Sequence, residues 1–78
     1  MNHPGATPEE LKTLRLVIED WDTRSEIQAA LALAVLRGYN NYRAASDYLG
    51  VAIPALEEAT KSLWGILHDR TTGKLWIK

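Results

Sequence analysis

Apolar residues early in the chain recur at helical spacing. Leu11, Leu14, Val17, Ile18 and Trp21 form one stripe, with Leu16 beside it as a second contact. Thr7-Pro8-Glu9-Glu10 supplies an N-cap, a first-turn proline and a capping-box glutamate, so a first helix is predicted from Thr7 to near Asp22. Thr23-Arg24-Ser25-Glu26 repeats the capping-box pattern and opens a second helix. From Ile27 to Leu36 every position but Gln28 is Ala, Leu, Val or Ile. A helix apolar on all sides is one enclosed by neighbours, and Gly38 is its natural stop. Asn40 or Asn41 can cap a third helix ending at Leu49-Gly50. Pro54 opens a fourth, which turns Leu56, Ala59, Thr60 and Leu63 inward and stops around Trp64-Gly65. Finally, Ile66-Leu67-His68 and Lys74-Leu75-Trp76-Ile77 flank the polar turn Asp69-Arg70-Thr71-Thr72-Gly73, which predicts a β-hairpin.

The third and fourth helices have the residue pattern of a helix-turn-helix. Ala45 and Leu49 lie one turn apart and face inward, Gly50 permits the positive φ of a sharp turn, and Val51 fills the elbow. Leu56 and Ala59 return the fourth helix onto the third, with small Ser46 where the two cross. A hairpin directly after such a motif occupies the place of a wing. The expected architecture is mainly α: a winged helix-turn-helix of about four helices followed by a C-terminal β-hairpin. The expected organisation is a flexible tail over residues 1–6 and a single domain over 7–78, with the helix-turn-helix at 41–64 and the wing at 66–78.

Composition narrows the function classes. A chain of 78 residues makes one small domain, and 46% hydrophobic content is that of a globular protein. The absence of cysteine excludes disulfides, a thiol nucleophile and thiolate zinc sites. The second helix is too short and too interrupted by Arg37 and Gly38 to span a membrane, and Met1–Gly5 lacks the regions of a signal peptide, so a cytoplasmic protein is expected. The net charge of −1 argues against a nonspecific nucleic-acid coat protein. That charge is uneven, with six acids against three bases in residues 1–36 and six bases against four acids in residues 37–78. The half carrying the motif is the electropositive one.

Ala-Val-Leu-Arg-Gly at 34–38, Arg-Ala-Ala at 43–45, Leu-Gly-Val at 49–51, Pro-Ala-Leu at 54–56 and Asp-Arg-Thr-Thr-Gly at 69–73 together resemble the N-terminal winged helix-turn-helix of LysR-type transcription regulators. The resemblance covers roughly residues 30–77. It implies a second motif helix that enters the major groove and a wing that touches backbone phosphate. The chain departs from that pattern in several places. It has one extra residue between Ala45 and Val51, a recognition helix about one turn shorter, and no effector domain or linker helix in this sequence. Ala52-Ile53 replaces the polar pair before the proline, and Glu57 and Glu58 stand where polar or basic residues are usual. Carboxylates are repelled by phosphates, although one can accept from cytosine N4.

Two functions follow. A small DNA-binding transcription regulator would use Asn40, Asn41, Tyr42 and Arg43 at the start of the third helix, Lys61 on the fourth, and Arg70, Thr71, Thr72 and Lys74 on the wing, with double-stranded DNA as partner. The plainer roles of these residues are helix capping for the asparagines and solvated or ion-paired surface for Arg43 and Lys61. A winged-helix interaction module would instead engage a protein through Ala52, Ile53, Glu57, Glu58 and Trp76. Trp21, Trp64 and Trp76 also read as core bulk in a chain without phenylalanine, and Leu16, Trp21 and the first-helix stripe offer a homodimer seam. No enzyme, cofactor or metal site is expected. His3 and His68 lack further ligands at suitable spacing, Ser25, Ser46 and Ser62 lack a base, and no glycine-rich phosphate loop is present.

Overall fold

The structure is a computed structural model that describes residues 5–19, 21, 24–63, 65–69 and 71–78. Four helices, α1 (Pro8–Val17), α2 (Glu26–Leu36), α3 (Tyr42–Leu49) and α4 (Ile53–Lys61), are followed by an antiparallel hairpin of β1 (Ile66–Asp69) and β2 (Lys74–Ile77). The arrangement is compatible with a winged-helix-like fold. No helix among the described residues is long and apolar enough to cross a membrane.

The helix ends are set by local chemistry. Thr7 and Glu10 form the reciprocal capping box at the start of α1. The helix ends at Val17, with Ile18 already extended, rather than near Asp22. The apolar spacing misleads here because Trp21 is buried from a turn beyond the helix, so its burial imitates another helical rung. Val17, placed in the stripe, is exposed, and Leu16 is 79% exposed. The start of α2 also differs from expectation. Ser25 is the N-cap and Gln28 the residue that reaches back to it, so the box is shifted two residues from the Thr23–Glu26 pair. Thr23, Asp22 and Trp64, which the sequence placed at helix ends, lie outside the described residues.

α2 is the central element, packed against α1, α3, α4 and β2, and Ala30–Val35 are all buried on it. Its one interior polar residue has a structural task. The Gln28 side-chain amide donates to the Ala59 carbonyl at 3.2 Å and to Ser62 Oγ at 2.7 Å, satisfying groups at the end of α4. Among the described residues, Leu14, Ile18, Leu31, Leu33, Leu56 and Leu75 are the largest fully buried side chains. Leu56, Ala59, Thr60 and Leu63 face inward as their spacing indicated.

The turn between α3 and α4 is closed by Gly50, at φ 67°, whose N–H donates to the Ser46 carbonyl at 2.8 Å. Ser46 does more than allow a close crossing: its Oγ donates to the Val51 carbonyl at 2.6 Å and pins the turn. α4 starts at Ile53, one residue before Pro54, with Ala52 as an N-cap that offers no side-chain acceptor.

Candidate nucleic-acid interface

Two segments distant in sequence are stitched together by backbone bonds. The Leu75 N–H donates to the Asn40 carbonyl at 2.7 Å, the Tyr42 N–H to the Gly73 carbonyl at 2.9 Å, and Asn41 forms an isolated antiparallel bridge with Lys74. The residues just before α3 thus run along β2 as a further short rung of the hairpin. Asn41 is the cap of α3, its Oδ1 accepting from the Ala44 N–H at 2.7 Å. That cap fixes where Arg43 leaves the helix.

An open cleft of about 350 Å³ results, lined by Asn41, Tyr42, Arg43, Ile53, Glu57, Thr72 and Gly73. The start of α3, the first turn and a half of α4 and the hairpin turn all contribute to it. Arg43, Ile53, Glu57 and Thr72 are exposed. Residues named for the two rival functions therefore share one cleft. Arg43 and Thr72 belong to the DNA set, Ile53 and Glu57 to the protein-partner set.

The remaining candidates are spread more widely. Asn40 is exposed beside the cleft. Thr71 is exposed on the hairpin turn, where its N–H donates to Asp69 Oδ1 at 2.9 Å, and Thr72 Oγ1 accepts from the Lys74 N–H at 3.3 Å. Lys74 is exposed, with its ammonium 5.9 Å from the centre of the Trp76 ring. Lys61 is also exposed but faces a separate groove with Leu63, Ile66, Leu67, His68 and Lys78, and its Nζ lies 3.0 Å from Glu58 Oε1. Ala52 is exposed at the cap of α4. Trp76 is 39% exposed opposite Leu67 on the outer face of the hairpin, away from the core. Trp21 is buried, so it is withdrawn from any seam along α1. Arg70 lies outside the described residues.

Tyr42, named as a DNA contact at the start of the third helix, is 6% exposed, and its hydroxyl is engaged on both sides. It lies 2.9 Å from Thr60 Oγ1 and 2.8 Å from His68 Nδ1. Thr60 Oγ1 donates its proton to the Glu57 carbonyl at 2.8 Å. Tyr42 must then donate to Thr60, which leaves His68 Nδ1–H as the donor to Tyr42. This chain of bonds joins β1 to α3 and α4 beneath the cleft.

His68, which looked isolated, thus has a structural role that its neighbours in sequence could not signal. Arg37 was missed as well. It holds Glu10, the Tyr48 hydroxyl and the Gly5 carbonyl, partners 11 to 32 residues away. Gln28 did carry a signal, as the lone polar residue of an apolar helix. Among the described residues there is no group of three His, Asp or Glu side chains that could hold a metal ion. The chain matches no protein-family model, and no curated protein and no solved structure matches it significantly.

Proposed function

We propose that this protein is a small transcription regulator that binds duplex DNA, with α4 entering the major groove while the start of α3 and the hairpin turn touch phosphates beside it. The observation that carries this reading is the convergence of Arg43, Thr72 and the first turns of α4 on one open cleft. The electropositive second half of the chain supports it, as does the resemblance to the winged domain of LysR-type regulators. Phosphate contacts from Arg43, Lys74 and the hairpin hydroxyls would position the protein, and α4 would read base edges.

The test is titration into random duplex DNA and into the DNA upstream of its own coding sequence, over a salt series. Binding is expected to weaken with a log–log slope of roughly −2 to −3, as befits two or three neutralised phosphates. Arg43→Gln and Lys74→Gln should each reduce that slope by about 1. No binding at low salt overturns the reading.

A second reading is favoured by one observation, the exposure of Ile53, Glu57 and Glu58 on the same helix. On it the protein is an interaction module whose α4 meets a basic, partly apolar surface of a regulatory protein, with Trp76 as an additional anchor. Absence of DNA binding is the outcome that favours this reading over the first.

A further inference from the structure

Resting on the DNA reading above, we infer that Glu57 and Ile53 are its base-reading residues. They select a duplex in which a cytosine N4 amino group donates to Glu57 and a nearby thymine methyl packs on Ile53. The two carboxylates of α4 are not equivalent. Glu58 is held by Lys61 at 3.0 Å, whereas among the described residues the Glu57 carboxylate has neither hydrogen-bond nor ion-pair partner. Glu57 is also the one that lines the cleft, together with Arg43 and Thr72.

A carboxylate turned toward a polyanion weakens binding everywhere except where it meets a donor. The major groove offers two such donors, the amino groups of cytosine and adenine. Adenine places its N7 acceptor next to that amino group, against the second carboxylate oxygen, while cytosine presents the donor alone. Cytosine is therefore the base that Glu57 accepts best. Ile53 lies one turn before Glu57 on the same face of α4, with Cβ atoms about 5–6 Å apart. Base steps are about 3.4 Å apart along a strand, so the two side chains address adjoining or next-but-one positions. An exposed Ile53 has no donor or acceptor to offer, and the thymine C5-methyl is the apolar feature of the groove floor. Arg43 and Thr72, which line the same cleft, supply the phosphate contacts that offset the repulsion of Glu57.

Selection of a randomised duplex library by the full chain, with affinity for pooled random DNA measured alongside, tests this. Wild type is expected to enrich a fixed cytosine with a thymine one or two positions away. Glu57→Gln should lose the cytosine preference by roughly ten-fold and move toward adenine, which glutamine pairs with on two atoms. The same variant should bind random DNA more tightly, because the repulsion is gone. Ile53→Ser should lose the thymine preference and keep the cytosine. Both positions are exposed, and an unchanged melting temperature confirms folding. If wild type and Glu57→Gln bind DNA with the same base preferences, this inference is overturned while DNA binding stands. If wild type binds no DNA, both fall.

Discussion

The guanidinium of Arg37 grips the carboxylate of Glu10 through two bonds, Nε to Oε2 at 2.7 Å and Nη2 to Oε1 at 2.8 Å. The pair ties the end of α2 to the first turn of α1, and the same arginine reaches the Tyr48 hydroxyl at 2.8 Å. The Arg37 hydrogen bonds, followed by the Thr7 backbone N–H, draw the Glu10 carboxyl from its usual 4.5 down to about 2. Arg37 is shifted further upward by the same carboxylate.

A folded-state carboxyl below its unfolded value contributes stability that is complete above the unfolded value and lost as pH falls through the folded one. The urea midpoint should therefore decline between about pH 4.5 and about pH 2, in part through this group. Glu10→Gln should lower the midpoint at neutral pH and flatten the decline over that interval. Arg37→Lys keeps the charge without the two-pronged geometry and should fall between Glu10→Gln and wild type. A decline of wild-type steepness in Glu10→Gln would assign the acid sensitivity to other carboxylates.

Tyr42→Phe removes one oxygen from a buried chain of donors and acceptors. Thr60, 5% exposed, loses the proton it accepts, and His68 Nδ1–H loses its acceptor. Leaving such groups unpaired should cost about 1–2 kcal/mol, read from urea unfolding. The ring itself stays packed, so the unfolding cooperativity should not change. Nitrogen NMR of wild-type His68 in its neutral form should show the proton on Nδ1. A proton on Nε2 would reverse the direction of the chain.

Gly65 sits close against Ile18, backbone included. A Cβ built there would lie 2.5 Å from Ile18 Cγ1, 2.9 Å from Ile18 Cα and 3.0 Å from Ile18 Cβ. Gly65→Ala should destabilise by about 1–3 kcal/mol, in the range of overpacked cores. Ile18→Ala removes the crowding at Cγ1 but leaves the Ile18 backbone in the way, so it should cost less in the Gly65→Ala background than alone. Double-mutant unfolding measurements check the coupling. Strict additivity would mean that the segment shifts away from α1 without strain.

These relationships mark the boundary of what the residue pattern discloses. The Thr7–Glu10 cap, the Asn41 cap and the Gly50 turn depend on groups within a few residues of one another, so their signatures are local. The inward set on α4 follows from helical periodicity. The start of α2 is ambiguous in sequence because Thr23–Glu26 and Ser25–Gln28 both satisfy the same capping rule, and only the second is used. The bonds of Tyr42, Arg37 and His68 are not legible in the sequence because their partners lie 11 to 32 residues away. For the cleft, the sequence named its exposed residues but not that Arg43, Ile53, Glu57 and Thr72 would share it. That depends on the bridge between Asn41 and Lys74, which no periodicity encodes.

Asn41 allows stability and binding to be separated at one position. Its side chain caps α3 and it lines the cleft next to Arg43. Asn41→Ala should lose the cap and about 1 kcal/mol of stability. Asn41→Asp keeps a capping acceptor of equal rank and places a negative charge at a helix N-terminus, which the helix dipole favours. Its stability should stay within about 0.5 kcal/mol of wild type. On the DNA reading, the added charge also faces phosphate, so Asn41→Asp should bind random duplex several-fold more weakly at low salt, and the deficit should shrink as salt screens it. Paired measurement of urea unfolding and duplex affinity distinguishes the two roles. Unchanged affinity in a stably folded Asn41→Asp would remove the start of α3 from the DNA-facing surface.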